Sequence, residues 1–574
     1  MMKLKKKIID LFPLKAQFKK KEIIEIVIEF LNDESRNLDL TAVLKVLYLD
    51  EVTDTINLKI NLKPLELKKI NVNINPKNDD FCGYGVDVYL YEQDKVIQIL
   101  STSFDVVSSW KKSTRYGFLS DFYDKDKDDL EDLQEMRKLH INLVQFYDWM
   151  YKHDELLPVS TEFTDPMGRV LNFEVIKEKI RFCHRYGMKA IAYGAIYAAS
   201  ESFYNNHKNW VLYDSNNKVI RFIDSFFIMN ISKDCPWHWH IINQYKKALI
   251  EADFDGIHMD TYGFPKAAIS KLNNIDKVEN LDEQFPIIIN NARKILAKYK
   301  EDLCIIFNNV GNWPIESTAN TDVDAIYIEV WKPYERYYHL KELIMWGKYL
   351  SKGKPVILAA YLKQYIDYED KDIDKANNSL LLITAIIASN GGYHMLLGEK
   401  NGVLTEGYYV DYYTVDDKFF RIIRNYYDFI IRYSNIFFND NLKDVSMTHI
   451  DGDNLEYTFE NVDYSTYGEP GKVWITAREN KKCKELIFIN LTNNYEDFWN
   501  RGKNKPELIK NIIVNIQIER KVRKIFYASP DFEMGRPEKI DYSISSGTRG
   551  KILNIQIPKL YIWSILIIEF ELSD

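Results

Sequence analysis

Cysteine is scarce in this sequence, with 5 among 574 residues. Cys82, Cys183, Cys235, Cys304 and Cys483 are odd in number, widely spaced and free of any Cys-x-x-Cys pair, which argues against a disulfide framework and against a thiolate zinc site. Long apolar runs are missing as well. No stretch approaches the roughly 20 uninterrupted apolar residues of a membrane-spanning helix. The start, Met1-Met-Lys-Leu-Lys-Lys-Lys-Ile-Ile-Asp10, opens like the basic region of a signal peptide, but Asp10 and Pro13 break the apolar core that should follow. The chain as written is expected to be soluble, either cytoplasmic or the trimmed form of a secreted protein, and monomeric. A positive charge excess is absent too: the net charge of -8 on 67.9 kDa argues against nucleic acid and suits a neutral polymer. The Asp clusters at 124–129 and 367–374 read as solvated surface rather than calcium cages, so neither metal nor cofactor is expected.

What is present is a globular composition, 46% hydrophobic and 14% aromatic, in a chain too long for one core. Two to four domains are expected on that length. Three regions separate by pattern. Residues 1–114 alternate apolar and polar positions in short strands such as Glu22–Glu29, Ala42–Leu49 and Val86–Tyr91, as an antiparallel β-sandwich does. Residues 115–435 alternate strands with helical stretches, and 436–574 return to short strands in a second sandwich. The middle region holds eight candidate strands at 117–122, 141–148, 188–195, 256–260, 303–308, 325–329, 355–360 and 392–397, the number a (β/α)₈ barrel needs.

Two of those strands end in a single carboxylate: Phe254-Asp-Gly-Ile-His-Met-Asp260-Thr-Tyr-Gly263 and Asp324-Ala-Ile-Tyr-Ile-Glu329-Val-Trp331. A barrel enzyme carries its catalytic groups at strand C-termini, and two such carboxylates suit glycosidic-bond chemistry. Structural ion pairs or helix caps are the competing explanation for any acid at a strand end. Asp255, in an Asp-Gly step, reads as turn chemistry. The same strand ends collect sugar-binding candidates: Asp121, Tyr147, Asp148, Trp149, Tyr193, Tyr197, His258, Tyr262, Asn308, Asn309, Trp313, Trp331, Tyr361, His394 and Glu399. Each has a plainer alternative. His258 and His140 suit a barrel wall, and Trp331, Trp149 and Tyr262 suit core packing as well as sugar contact.

Arg115–Phe122, His140–His153, Phe254–Gly263 and Tyr327–Trp331 together resemble glycoside hydrolase family 66, the dextranases and cycloisomaltooligosaccharide glucanotransferases, across all three regions. The resemblance implies an immunoglobulin-like N-terminal domain, a (β/α)₈ barrel and a C-terminal β-sandwich, acting on dextran and isomaltooligosaccharides. It places the family's nucleophile at Asp260 and its general acid/base at Glu329. The family's cyclising transferases carry an extra carbohydrate-binding module late in the barrel, whereas Tyr361 to Gly391 leaves room for one crossover helix. An endo-acting dextranase with a retaining mechanism is therefore the expectation. A cyclising transferase is the alternative, followed by another α-glucan hydrolase and a non-catalytic binding protein.

Overall fold

The computed structural model describes residues 7–76, 81–367, 372–450, 454–548 and 550–571. Its centre is a parallel sheet whose strands follow one another in chain order: β1 Tyr116–Leu119, β2 Leu143–Phe146, β3 Lys189–Ala195, β4 Gly256–Asp260, β5 Cys304–Val310, β6 Ala325–Glu329, β7 Val356–Ala359 and β8 Tyr393–His394. Just beyond β8, Gly398 pairs in parallel with Phe118 of β1, so the sheet curls round until its last segment meets its first. Each of the eight strands falls on a stretch read from the sequence.

Helices connect the strands: α1 Glu131–Lys138, α2 Phe173–Arg185, α3 Pro236–Glu251, α4 Leu281–Leu296, α5 Tyr337–Ser351, α6 Ile373–Ser389 and α7 Asp417–Arg432. Only the β5–β6 link lacks a long helix, having the single turn Ile315–Thr318. Local chemistry sets the starts. Asn172 accepts the Glu174 N–H at 2.8 Å ahead of α2, Asp416 accepts that of Phe419 at 2.8 Å ahead of α7, and Pro236 takes the first position of α3, where no N–H is needed. Gly256 opens β4 because a Cβ there would overlap the carbonyl oxygen of Cys304 on β5. Asp255 before it accepts from His184 Nε2 at 2.7 Å and the Ala190 N–H at 2.9 Å, a structural role in line with its turn-like sequence.

Two antiparallel β modules flank this centre. The first packs a three-stranded sheet (Ile8–Pro13, Ile24–Leu31, Leu67–Ile74) on a four-stranded one (Leu38–Tyr48, Glu51–Leu62, Cys82–Glu92, Lys95–Val106) around a core of its own. The second does the same with a seven-stranded and a four-stranded sheet between Lys443 and Phe570. Buried charge fastens the first module to α7. Arg432 donates twice to Asp87, at 2.8 and 3.0 Å, with both side chains out of solvent. One turn earlier Asp428 collects Thr102 Oγ1, Ser103 Oγ and His140 Nε2, each at 2.9 Å. Replacing Arg432 with leucine strands Asp87 as a buried unpaired charge, and unfolding measurements should record a loss of about 3–5 kcal/mol.

Candidate active site

The inward face of the parallel sheet is read at every second residue, as the pleat requires. Gln145 and Tyr147 of β2 and the turn after it, Tyr193 of β3, His258 and Asp260 of β4, Asn308 and Val310 of β5, and Tyr327 and Glu329 of β6 line one cleft of about 540 Å³ at the C-terminal ends of the strands. Asp260 stands at the end of β4, and Glu329 at the end of β6, opposite Val310 of β5. Between them Asn308 projects from β5. Its Nδ2 donates to Asp260 Oδ1 at 2.7 Å and to Glu329 Oε2 at 3.1 Å, and two acceptors on one nitrogen fix the amide's orientation. Tyr193 Oη gives Asp260 a second hydrogen bond at 2.8 Å, and Tyr361 Oη gives Glu329 one at 3.0 Å.

Electrostatics favour one proton on this pair near neutrality. Burial in the cleft floor, reinforced by the Glu329 charge and opposed by Asn308 and Tyr193, pushes Asp260 up to about 7. Burial also raises Glu329, against the hydrogen bonds from Asn308 and Tyr361. Two carboxylates this close titrate as a unit. The neighbouring imidazoles supply no charge in that range: burial pushes His258 down to about 3 and His153 down to about 4, so both are neutral. His258 Nδ1 is 3.0 Å from Tyr116 Oη beneath the cleft.

The structure brings Tyr147, Asp148, Tyr193, His258, Tyr262, Asn308, Trp331 and Tyr361 to the cleft together with Asp260 and Glu329. Asp148 sits in a left-handed backbone conformation (φ 45°), and burial, partly offset by Arg169, pushes its carboxyl up to about 7. The other candidates lie outside that lining. Asp121 is held by an ion pair with Lys400, and Glu399 accepts from Ser120 Oγ at 2.6 Å and from the Ser120 and Asp121 N–H groups; both carboxylates brace the end of β1. Trp149 is fully buried, with its indole N–H on the Tyr193 carbonyl at 3.1 Å. Tyr197 Oη ties the Phe264 carbonyl to the Tyr262 N–H. Asn309 points the opposite way from Asn308, donating to the Tyr327 carbonyl at 2.9 Å and accepting from Thr318 at 2.7 Å. Trp313 packs edge-on to Phe285, and His394 Nε2 donates to the Ala360 carbonyl at 3.0 Å, away from the cleft. Of the Asp clusters, Asp124 accepts from Asn172 Nδ2 at 2.8 Å and Asp126 from the Tyr123 N–H at 2.9 Å, and 368–371 lie outside the described residues.

Loops supply walls that the sequence reading passed over. Tyr409 stacks on Tyr147 (4.5 Å, 22°) and shares hydroxyl contacts with Tyr327 at 2.8 Å and Tyr361 at 3.3 Å. Beside it, a Cβ on Gly407 would come to 3.2 Å of Glu329 Oε1. Across the cleft a hairpin, Arg221–Phe222 against Phe226–Ile228, stacks Phe222 on Tyr262 at 3.9 Å and carries Ile223 at its tip. A run of tyrosines after β8 was the only signal available for the first group. The hairpin had none.

A curled parallel sheet with paired carboxylates at two strand ends, in an aromatic cleft, is the arrangement of a carbohydrate-active enzyme. The comparisons give the family: the pattern of Glycosyl hydrolase family 66 matches residues 14–567, and the chain belongs to that family. Two cycloisomaltooligosaccharide glucanotransferases of Niallia circulans are 20% and 21% identical, with 97% and 96% of this chain and 71% of each relative covered. These alignments run over 704 positions, more than the 574 residues here, so the relatives hold segments without counterpart in this chain. Among solved structures, a Paenibacillus sp. cycloisomaltooligosaccharide glucanotransferase complexed with cycloisomaltoheptaose superposes at a TM-score of 0.88, with 20% identity over 98% of this chain and 99% of that one.

A carboxyl whose folded pKa lies above its unfolded value contributes stability at low pH that is lost as pH rises through the folded value. For Asp260 that loss runs from about 4 to about 7. Asp260→Asn should therefore melt higher than the parent at pH 8, by on the order of 2 kcal/mol, and lose that advantage near pH 4. Thermal unfolding across the pH range checks this, and a variant less stable at every pH contradicts it.

Proposed function

We propose that this chain is a retaining enzyme of α-1,6-linked glucan in which Asp260 is the nucleophile and Glu329 the general acid/base. The curled sheet is read as a closed (β/α)₈ barrel at 115–435, flanked by an immunoglobulin-like β-sandwich at 1–114 and a second β-sandwich at 436–574. The observation that carries the mechanism is the Asn308 bridge. Two oxygens bonded to one nitrogen at 2.7 and 3.1 Å lie under about 6 Å apart, which suits the roughly 5–5.5 Å of a retaining pair and falls short of the roughly 6.5–9.5 Å that an inverting pair needs for its water.

In this reading the proton that the free cleft favours on Asp260 moves to Glu329 in the substrate complex, and Asp260, whose hydrogen bonds from Tyr193 and Asn308 oppose the upward push of burial, attacks the anomeric carbon as the carboxylate. Glu329 gives its proton to the departing glycosidic oxygen. It then takes a proton from the incoming hydroxyl, whose oxygen displaces Asp260 with a second inversion. Whether that hydroxyl belongs to water or to a sugar decides between hydrolysis and transfer. The names of the relatives favour transfer, with the chain's own far end as acceptor and a cyclic isomaltooligosaccharide as product. That overturns the order of preference drawn from the sequence. Dextran hydrolysis stays as the second reading on one observation: among the described residues the crossover between Tyr361 and Gly391 holds a short turn at Lys363–Tyr365 and α6, while the relatives carry segments absent here.

Products from dextran, resolved by size and anomeric form over time, test both. Cyclic products that dominate from the first minutes support the transferase, linear products released as the α-anomer support the dextranase, and β-anomeric release contradicts the mechanism. Glu329→Gln should cost on the order of 10²–10⁴ in rate on dextran and much less on substrates with an activated leaving group. Gly407→Ala, which crowds Glu329, should lower kcat more than it raises KM.

A further inference from the structure

The outer face of α5 departs from what a solvent-facing helix of an α/β sheet presents. Its buried side is Tyr337, Leu340, Leu343, Ile344 and Gly347. The opposite stripe, at i, i+3, i+4 and i+7, is Glu342, Met345, Trp346 and Tyr349, all exposed. Trp346 is 41% and Tyr349 75% accessible, and their rings lie 5.7 Å apart with only 23° between planes. Two aromatic faces held nearly parallel and open to water on one helix form a flat apolar step with a carboxylate one turn away.

We infer that Trp346 and Tyr349 form a stacking platform for a second stretch of polymeric glucan, outside the cleft; the choice of glucan rests on the function proposed above. The apolar face of a pyranose covers an aromatic ring as another ring would, and Glu342, on the same stripe of the helix, stands ready for its hydroxyls. Size favours a sugar chain over a protein. Three apolar side chains fall far short of the roughly 800 Å² per partner that a stable protein interface buries. Position dictates the consequence. α5 runs away from the strand ends that carry Glu329, so Trp346 lies about 13 Å down the helix from its start, at 1.5 Å per residue. A polymer held at the platform is kept near the cleft, which raises its effective concentration there without touching the chemistry.

The test is native electrophoresis through gels containing high-molecular-mass dextran, on the slow Glu329→Gln background so that the polymer survives. Adding Trp346→Ala and Tyr349→Ala should weaken retardation at least ~3-fold. In the active chain the same two substitutions should raise KM for long dextran and leave kcat/KM on short isomaltooligosaccharides unchanged. Equal retardation with and without the two rings, in a chain that still processes dextran, overturns the platform and leaves the active-site reading standing. A parent whose mass by light scattering falls by half on substitution assigns the face to a second copy and also overturns it. A chain that neither processes nor binds dextran overturns both readings.

Discussion

One amide nitrogen, Nδ2 of Asn308, holds the site together. It is bonded to both carboxylates, and so sets their separation, lowers the cost of keeping charge in the cleft floor and forbids both groups from turning outward. Without such a donor, burial would keep both acids protonated to higher pH, and the cleft would lack the ionised carboxylate that a nucleophile requires. Tyr193 and Tyr361 complete it from either side, one hydroxyl to each acid.

The scaffold serves that nitrogen. Asn308 lies between Asp260 and Glu329 because β5 pairs with β4 on one edge and β6 on the other: it follows Phe307, the partner of Met259 on β4, and stands one inward-facing position before Val310, the partner of Glu329 on β6. Any slip by one residue would exchange Asn308 for Asn309, which faces away toward Thr318. Register is secured at the base of the strands, where Gly256 lets β4 approach Cys304 and Asp255 ties β4 to β3. The tyrosines around the pair share hydroxyl contacts through Tyr327, Tyr361 and Tyr409, so the walls are positioned by one another as well as by the sheet.

Much of this was readable before any coordinates. The eight strands are short apolar runs bounded by turn residues, and a strand-terminal acid after such a run is conspicuous at Asp260 and Glu329. What a strand-end position does not reveal is the partner already occupying the side chain. Asp121 and Glu399 stand in promising places, but Lys400, a remote residue for Asp121, claims one and the Ser120 and Asp121 backbone the other. Trp149 is likewise taken by a carbonyl 44 residues away in sequence, that of Tyr193 on β3. Period-two alternation would have separated Asn308 from Asn309, since neighbours on a strand face opposite ways. The hairpin bearing Phe222 and Ile223 lay beyond reach, because a loop that folds over a cleft carries no periodicity to announce where it lands.

The central claim is that Asp260 forms the covalent bond while Glu329 handles the proton. Incubating Glu329→Gln with an α-glucosyl fluoride, whose leaving group needs no acid, and mapping the modified peptide by mass spectrometry tests it directly. The account predicts a single hexosyl adduct on Asp260 that disappears when azide, a nucleophile that needs no base, is added. An adduct on another carboxylate, or turnover with no covalent species at any time, contradicts it.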